Sequence, residues 1–237
     1  MAVEDDASDP VALQWRAQDL RIDMTKQADR SVVDERMVPL LIEALDREMD
    51  GEILYLSAYL HWLGDLGPAA APAVPYLAAL LQESCKMESD TVSKRPQYVN
   101  ALQTLGRIGE PAAGAMPAIM CFANQHAGLE VPFWKGTIDN LAVKEVVPQI
   151  GPAAVPYLID VLYKREDASA VRLVIDMLTA LARAGYTDET LPAAPYLVAI
   201  LHETELTGAQ TALRAISGQT KLEDPHEFQI WYNDLAP

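Results

Sequence analysis

Residues 63–77, LGDLGPAAAPAVPYL, decide the predicted fold, because variants follow at residues 105–119 (LGRIGEPAAGAMPAI) and 148–158 (PQIGPAAVPYL). A looser variant spans residues 181–197, and a truncated one begins at Met37. The turn glycines Gly67, Gly109, Gly151 and Gly185 are spaced by 42, 42 and 34 residues. Each period also holds two helical patterns of apolar residues. A repeat of about 40 residues with two helices is typical of helical repeat arrays.

Each variant combines a glycine with a proline a few residues later. Glycine adopts the left-handed backbone conformation that ends a helix, because it has no Cβ to clash. Proline at a helix start loses no hydrogen bond, and its fixed φ already suits the helix. We therefore predict first helices over about residues 51–63, 96–106, 137–149 and 168–184. Second helices are predicted near the prolines Pro75, Pro117, Pro156 and Pro195.

Counting from these prolines, and from Pro39 in the truncated copy, separates a constant face from a variable face. Positions two, three, five and six after the proline are apolar in all five copies, as on the buried face of a helix. Positions one, four, seven and eight vary in size and charge. We predict that the constant positions pack between repeats and that the variable positions face solvent.

This pattern resembles that of HEAT-repeat proteins, in the bacterial variety with Leu-Gly-x-Ile-Gly-Pro-x-Ala followed by Pro-x-Leu. The resemblance covers roughly Met37 to Gly218, and the matching residues are structural. It implies an all-α, armadillo-like fold: a right-handed α-solenoid, or superhelix, of about five helix pairs with capping helices at both ends. We expect a flexible acidic tail over residues 1–9, the solenoid over 10–218 and a C-terminal capping segment over 219–237. The N-terminal capping helix is expected from Pro10 to about Asp29.

The chain is strongly acidic, with 34 acidic and 18 basic side chains and a formal net charge of −16. This balance disfavours binding to nucleic acids, whose phosphates need clustered Lys and Arg. It favours solubility and attracts basic partners. The sequence has no apolar run of about 18 residues, so we predict no membrane span. The acidic N-terminus has no apolar signal-peptide core, and we predict a cytoplasmic protein.

The two cysteines, Cys85 and Cys121, are too few for a scaffold of disulfides. They fall on neighbouring second helices, where an approach across the repeats is open to them. Our interpretation is that they are free thiols in a reducing compartment.

Few residues suggest catalysis. The dipeptides His202-Glu203 and His226-Glu227 are similar to those that bind iron in deoxyhypusine hydroxylase, a HEAT-repeat enzyme, but that family has four placed symmetrically. Adjacent residues on a helix point about 100° apart, so one pair alone is a poor metal site. His61 and Asp65 lie one helical turn apart without a recognisable nucleophile. We predict no catalytic residue, no metal and no cofactor.

The predicted function is therefore a non-catalytic scaffold for protein–protein interaction. A protein or peptide partner, basic or extended, would bind the concave face formed by the second helices. The predicted contact ridge consists of tyrosines with a polar rim: Tyr76, Tyr157 and Tyr196 with Glu83, Asp160, Lys164 and Glu203. Packing of these tyrosines against the next repeat is an equally open interpretation. The alternative function is a HEAT-like enzyme or enzyme subunit, either lyase-like, as in bilin lyases, or a metal-dependent hydroxylase.

Overall fold

The computed structural model describes residues 34–49, 56–86, 95–131, 135–203 and 207–235. Within these ranges the chain is all-α, and its β structure is one isolated bridge between Glu130 and Thr137. The predicted acidic tail and N-terminal capping helix lie outside the described residues. The class of fold predicted from the sequence is therefore confirmed for the part of the chain that the structure describes.

The helices follow one another along the chain, several of them joined by short 3₁₀ turns. They are α1 (Val38–Met49), α2 (Leu56–Leu66), α3 (Val74–Lys86), α4 (Arg95–Ile108), α5 (Met116–Gln125), α6 (138–150), α7 (Val155–Lys164), α8 (Ala168–Arg183), α9 (Ala194–Glu203), α10 (Thr207–Ser217) and α11 (Pro225–Leu235). The predicted boundaries agree with these to within a few residues. Helix α6 differs from a plain helix, because it contains a π-helical stretch over Ala142–Val146.

The turns have the backbone conformation that their sequence predicts. Gly67, Gly109, Gly151 and Gly185 have φ values of 57°, 78°, 76° and 106°. Any residue with a Cβ would be strained in this left-handed region, which is why glycine recurs there. The helices that follow the turns, α3, α5, α7 and α9, each begin one residue before the predicted proline.

We call α2, α4, α6, α8 and α10 the first row, and α1, α3, α5, α7 and α9 the second row. Each helix of the first row contacts the next one in that row. Each helix of the second row packs against the first-row helix that follows it in the chain. In the second row, α3 contacts α5 and α7 contacts α9. The last helix, α11, packs against α9 and buries Phe228.

The constant face of the second row is buried or half-buried against the core, as predicted. The residues two positions after the prolines are all nearly inaccessible to solvent: Leu41, Leu77, Ile119, Leu158 and Leu197. The variable positions are mostly exposed. The exceptions are Leu40 and Ala118, one position after their prolines, which are buried where Tyr76 and Tyr157 are exposed. Burial one position after the proline therefore differs from one second-row helix to the next.

The interpretation of the cysteines as free thiols is wrong. Cys85 on α3 and Cys121 on α5 form a disulfide, with their Cα atoms 6.3 Å apart. Direct packing of α3 against α5 brings the two residues into the usual range for a bridge. The sequence indicated neighbouring helices, but the separation of two side chains across the helices is a property of the packing.

One helical stretch, Ile138–Lys164, is long and apolar enough to cross a membrane by length and composition alone. It comprises α6 and α7 and changes direction at the turn containing Gly151. It also packs against α4 and α8, and a core helix passes the same test. The absence of a membrane span therefore stays a prediction.

Candidate functional site

The predicted tyrosines lie on the second row and differ in exposure. Tyr76 on α3 is 40% exposed and Tyr157 on α7 is 37% exposed, whereas Tyr196 on α9 is half-buried against the core. Helix α5, the next helix of the second row after α3, has the buried Ala118 at the equivalent position. The predicted tyrosine ridge is therefore interrupted at α5.

Among the described residues, the most exposed tyrosine lies outside the predicted contact ridge. Tyr163, seven positions after Pro156, is 72% exposed at the end of α7. Its ring meets that of Tyr196 edge to face, with centroids 6.4 Å apart and planes at 89°. We call Tyr163 and Tyr196 the aromatic notch. The sequence offered a signal for it, since position seven carries polar residues in the other four copies and an aromatic ring only here.

The predicted polar rim around the notch consists of ion pairs. Lys164 Nζ lies 2.7 Å from Asp160 Oδ2 on the same face of α7. The hydrogen bond to Asp160 and the charge of that carboxylate raise the pKa of Lys164. Arg165 pairs with Glu203 and so bridges α7 and α9. Asp160 and Lys164 thus lie beside Tyr163 on α7, and Glu203 is paired with Arg165 at the end of that helix. The charge of Glu166 also acts on Lys164.

Arg165 owes its position to the end of α7. Its backbone is left-handed, with φ of 52°, and its N–H donates to the carbonyl of Val161 2.9 Å away. Its Nε donates to the carbonyl of Leu162 at 3.1 Å. This anchored guanidinium reaches Glu203 across the helix contact. Arg165 was not predicted to take part, because a left-handed arginine at a helix end has no sequence pattern of its own.

A second polar surface lies on the first row. His61 Nδ1 accepts a hydrogen bond from Arg107 Nη1 at 3.2 Å. A guanidinium only donates, so Nδ1 is the acceptor in this contact, and the other ring nitrogen, Nε2, lies 3.5 Å from Asp65 Oδ2. Arg107 Nη1 also lies 3.4 Å from Asp65 Oδ1. The predicted sharing of one helix face by His61 and Asp65 is confirmed, and Arg107 joins them from α4.

This cluster borders a surface cavity of about 350 Å³ between α2 and α4. Its lining includes Ser57, Trp62, Asn100 and Gln103 besides His61 and Arg107. Ser57 Oγ accepts a hydrogen bond from Asn100 Nδ2 at 3.1 Å. Arg107 occupies the same place in its repeat as Asp65, 42 residues earlier, so their opposite charges were a usable signal for the contact.

Two glycines allow the first row to pack this closely. A Cβ on Gly64 would lie 2.9 Å from the flexible Cδ of Arg107. A Cβ on Gly106 would lie 2.7 Å from Gln149 Oε1 and 3.1 Å from the backbone Cα of Val146. Val146 belongs to the π-helical stretch, so the irregular turn of α6 is the part that meets Gly106.

The only buried histidine of the described residues lies at the end of α5. His126 is 7% exposed, and its ring centroid lies 4.8 Å from that of Phe122 with the planes tilted by 54°. The ring of Phe122 in turn meets that of Tyr98 with centroids 6.1 Å apart. Burial and the charge of Arg95 lower the pKa of His126. Its Nε2 has no hydrogen-bond partner in the part of the chain described. The imidazole therefore behaves as a neutral packing group.

The residues of the two His-Glu dipeptides that have contacts here take part in an ion pair and a helix cap. Glu203 pairs with Arg165, and His202 is exposed. Glu227 Oε2 accepts a hydrogen bond from the N–H of Asp224 at 3.3 Å, while Asp224 Oδ1 accepts one from the N–H of His226 at 2.6 Å. This reciprocal arrangement is a capping box for α11. The described ranges contain no group of three or more His, Cys, Asp or Glu that would hold a metal.

The most exposed aromatic side chain of the described residues thus lies in the aromatic notch, whereas the first-row cluster borders a cavity lined by polar side chains and Trp62. No protein-family model matches this chain, and no curated protein or solved structure is significantly similar to it.

Proposed function

We propose that the protein is a HEAT-like scaffold that binds a partner protein or peptide on the second-row face. In this proposal the helices form a right-handed α-solenoid of about five pairs, and the second row lines its concave side. The left-handed glycine turns and the contacts from each first-row helix to the next support the repeat architecture. Residues 219–237 would then form the C-terminal cap, in which α11 covers part of α9.

The observation that carries the binding function is the exposure of Tyr163. An aromatic ring that is 72% exposed at a helix end stabilises the isolated fold little. Aromatic side chains are enriched among the residues that dominate protein interfaces. The neighbouring Tyr196 is half-buried and fixes the position of one wall of the notch. Tyr76, Tyr157 and Glu83 would extend the contact along the second row.

The net charge of −16 supports a partner with basic character, because it would steer such a partner over distances near the Debye length. The same charge argues against nucleic acid. Cytoplasmic localisation and the lack of membrane binding stay predictions. The Cys85–Cys121 disulfide bears on the first of these, since such bonds are typical of oxidising compartments.

A second candidate function is that of an enzyme or enzyme subunit, lyase-like or hydroxylase-like. The observation in its favour is the cluster of His61, Asp65 and Arg107 beside a cavity of about 350 Å³. All three side chains are substantially solvent-exposed, so water screens the electrostatic interactions by which the protein would change their reactivity. If this candidate is right, His61→Gln abolishes turnover of a bound ligand without changing partner binding.

Site-specific photocrosslinking tests the scaffold. A photoreactive phenylalanine analogue replaces Tyr163 in one variant and the exposed Lys144 of α6 in a control variant. Irradiation in a lysate of the source organism should give discrete protein adducts at residue 163 and not at residue 144. Excess unlabelled protein should suppress these adducts, and excess Tyr163→Ala protein should not. Equal labelling from both positions, or suppression by both competitors, would contradict binding at the notch.

A further inference from the structure

We infer that Cys121 is a modification site for small thiols of the glutathione class, which open the Cys85–Cys121 disulfide by exchange at the sulfur of Cys121. This inference does not depend on the proposed partner. It is drawn from the unequal exposure of the two bonded cysteines and from the packing of the helices that carry them. The disulfide is then a reversible, redox-sensitive link between two helices of the second row.

The two halves of the disulfide differ in their access to solvent. Cys121 lies inside α5, four positions after Pro117, and is exposed. Position four is one of the variable positions that the sequence predicts to face solvent. Cys85 is the residue before the last one of α3, and it is half-buried and packed against the hydrophobic core. A reagent in solution therefore reaches the sulfur of Cys121 more readily than that of Cys85.

Exchange at Cys121 is a substitution at sulfur that needs only the small thiol as reductant. Its thiolate attacks Sγ of Cys121, and a new S–S bond forms as the bond between the two cysteines breaks. The electron pair of the broken bond leaves on Sγ of Cys85, which takes a proton from water and becomes a thiol. A second small thiol then attacks the mixed disulfide and releases Cys121. Two small thiols are thereby oxidised to their disulfide, and the protein gains two free thiols.

The opened state keeps the contact between the two helices. Helix α3 packs directly on α5, and both helices contribute nearly inaccessible side chains to the core, among them Leu77 and Phe122. This apolar packing does not require the disulfide, although the disulfide adds to its stability. Cys85 therefore stays beside Cys121 after exchange and can attack the mixed disulfide to close the bond again. The modification is reversible for this reason.

Peptide mapping of the full chain tests the inference. Oxidised protein is mixed with reduced glutathione at about pH 8, where part of the thiol is ionised, and the reaction is stopped early with acid. Free thiols are then labelled with a maleimide. We expect glutathione on Cys121 and the label on Cys85, in at least about five-fold excess over the reverse product. Circular dichroism under the same conditions should show that the helices are retained.

Single substitutions measure the access to each sulfur separately. Cys85→Ser leaves Cys121 as a free thiol, and Cys121→Ser leaves Cys85. In the folded state, a maleimide should label Cys121 at least about five-fold faster than Cys85. In urea, where the packing is lost, the two rates should become similar. The comparison separates access to solvent from the effect of flanking residues, which persists in the unfolded chain.

Each contrary result overturns the inference in a different way. Equal modification of the two cysteines, or a preference for Cys85, shows that exposure does not direct the exchange. Exchange that begins only when urea unfolds the protein shows that the bond is a protected structural link. A preference for Cys121 that persists in urea assigns the selectivity to flanking residues. The crosslinking at residue 163 tests the scaffold function separately, so failure of either experiment leaves the other conclusion standing.

Discussion

Reduction of the Cys85–Cys121 disulfide is the perturbation whose effect can be worked out most directly. The bond joins α3 to α5 across a sequence separation of 36 residues, and that loop contains all of α4. For a loop of this length, the chain-entropy relation gives about 13 cal/mol/K, which is about 4 kcal/mol at 25 °C. We therefore expect the reduced protein to lose about 4 kcal/mol of unfolding free energy.

This loss should appear as a lower melting temperature. For a chain of this size, 1 kcal/mol corresponds to a shift of about 2–4 °C, so reduction should lower the midpoint by about 8–16 °C. Helix α4 contacts α2, α3 and α6, and the loss should therefore spread beyond the loop. Circular dichroism melts of oxidised and reductant-treated protein measure the shift. Urea unfolding gives the free energy independently.

The double variant Cys85→Ser/Cys121→Ser is the matched control. It should melt with the reduced protein, and added reductant should not lower its midpoint further. A shift below about 2 °C between oxidised and reduced protein would refute the loop-entropy argument. Labelling of both cysteines by a maleimide in unreduced protein would refute the disulfide itself.

Three further predictions concern packing and pH. Gly106→Ala should lower the free energy of unfolding in urea by about 1–3 kcal/mol, because the new Cβ would lie 2.7 Å from Gln149 Oε1. Gly114→Ala, whose Cβ meets nothing within 4 Å, should be near neutral. Equal effects of the two substitutions would contradict this packing argument. Phe228→Ala should cost about 3–5 kcal/mol and release α11 to limited proteolysis, while unchanged cleavage would show that α11 is held by other contacts. Burial lowers the pKa of His126, so the unfolded chain binds more protons below about pH 6.5 and stability should fall as pH falls through that value. His126→Phe should flatten this part of the melting-temperature profile, and parallel profiles would exclude His126 as the cause.

The local features of the fold could be predicted from the sequence because they depend on neighbours along the chain. A left-handed glycine ends a helix wherever it occurs, as Gly109 and Gly151 illustrate. Apolar residues at helical spacing must be buried, which accounts for Leu77 and Leu158. The capping box of Asp224 and Glu227 likewise depends only on residues within the first turn of α11 and the residue before it.

The chemistry of the surfaces depends on side chains from different helices, and there the sequence was incomplete. Tyr157 and Tyr76 were correctly placed on the second row, but the ring that meets Tyr196 is Tyr163. The polar rim was predicted from the variable positions of the second helices, but the pairing of Glu203 with Arg165 was not predicted. A periodic pattern gives the face on which a residue lies, but not the atoms that it reaches across 38 residues of chain.

The sequence by itself determined the helices of the described residues, their glycine turns and the burial of the residues two positions after the prolines, because these follow from the conformational preferences and apolar spacing of short segments. Only the tertiary structure decided that Cys85 is bonded to Cys121, that Arg165 pairs with Glu203, and that Tyr163 meets Tyr196 edge to face. These contacts depend on how closely neighbouring helices approach and at what angle. That approach is fixed by side-chain packing between helices, such as the contact of Gly106 with α6, and no local pattern encodes it.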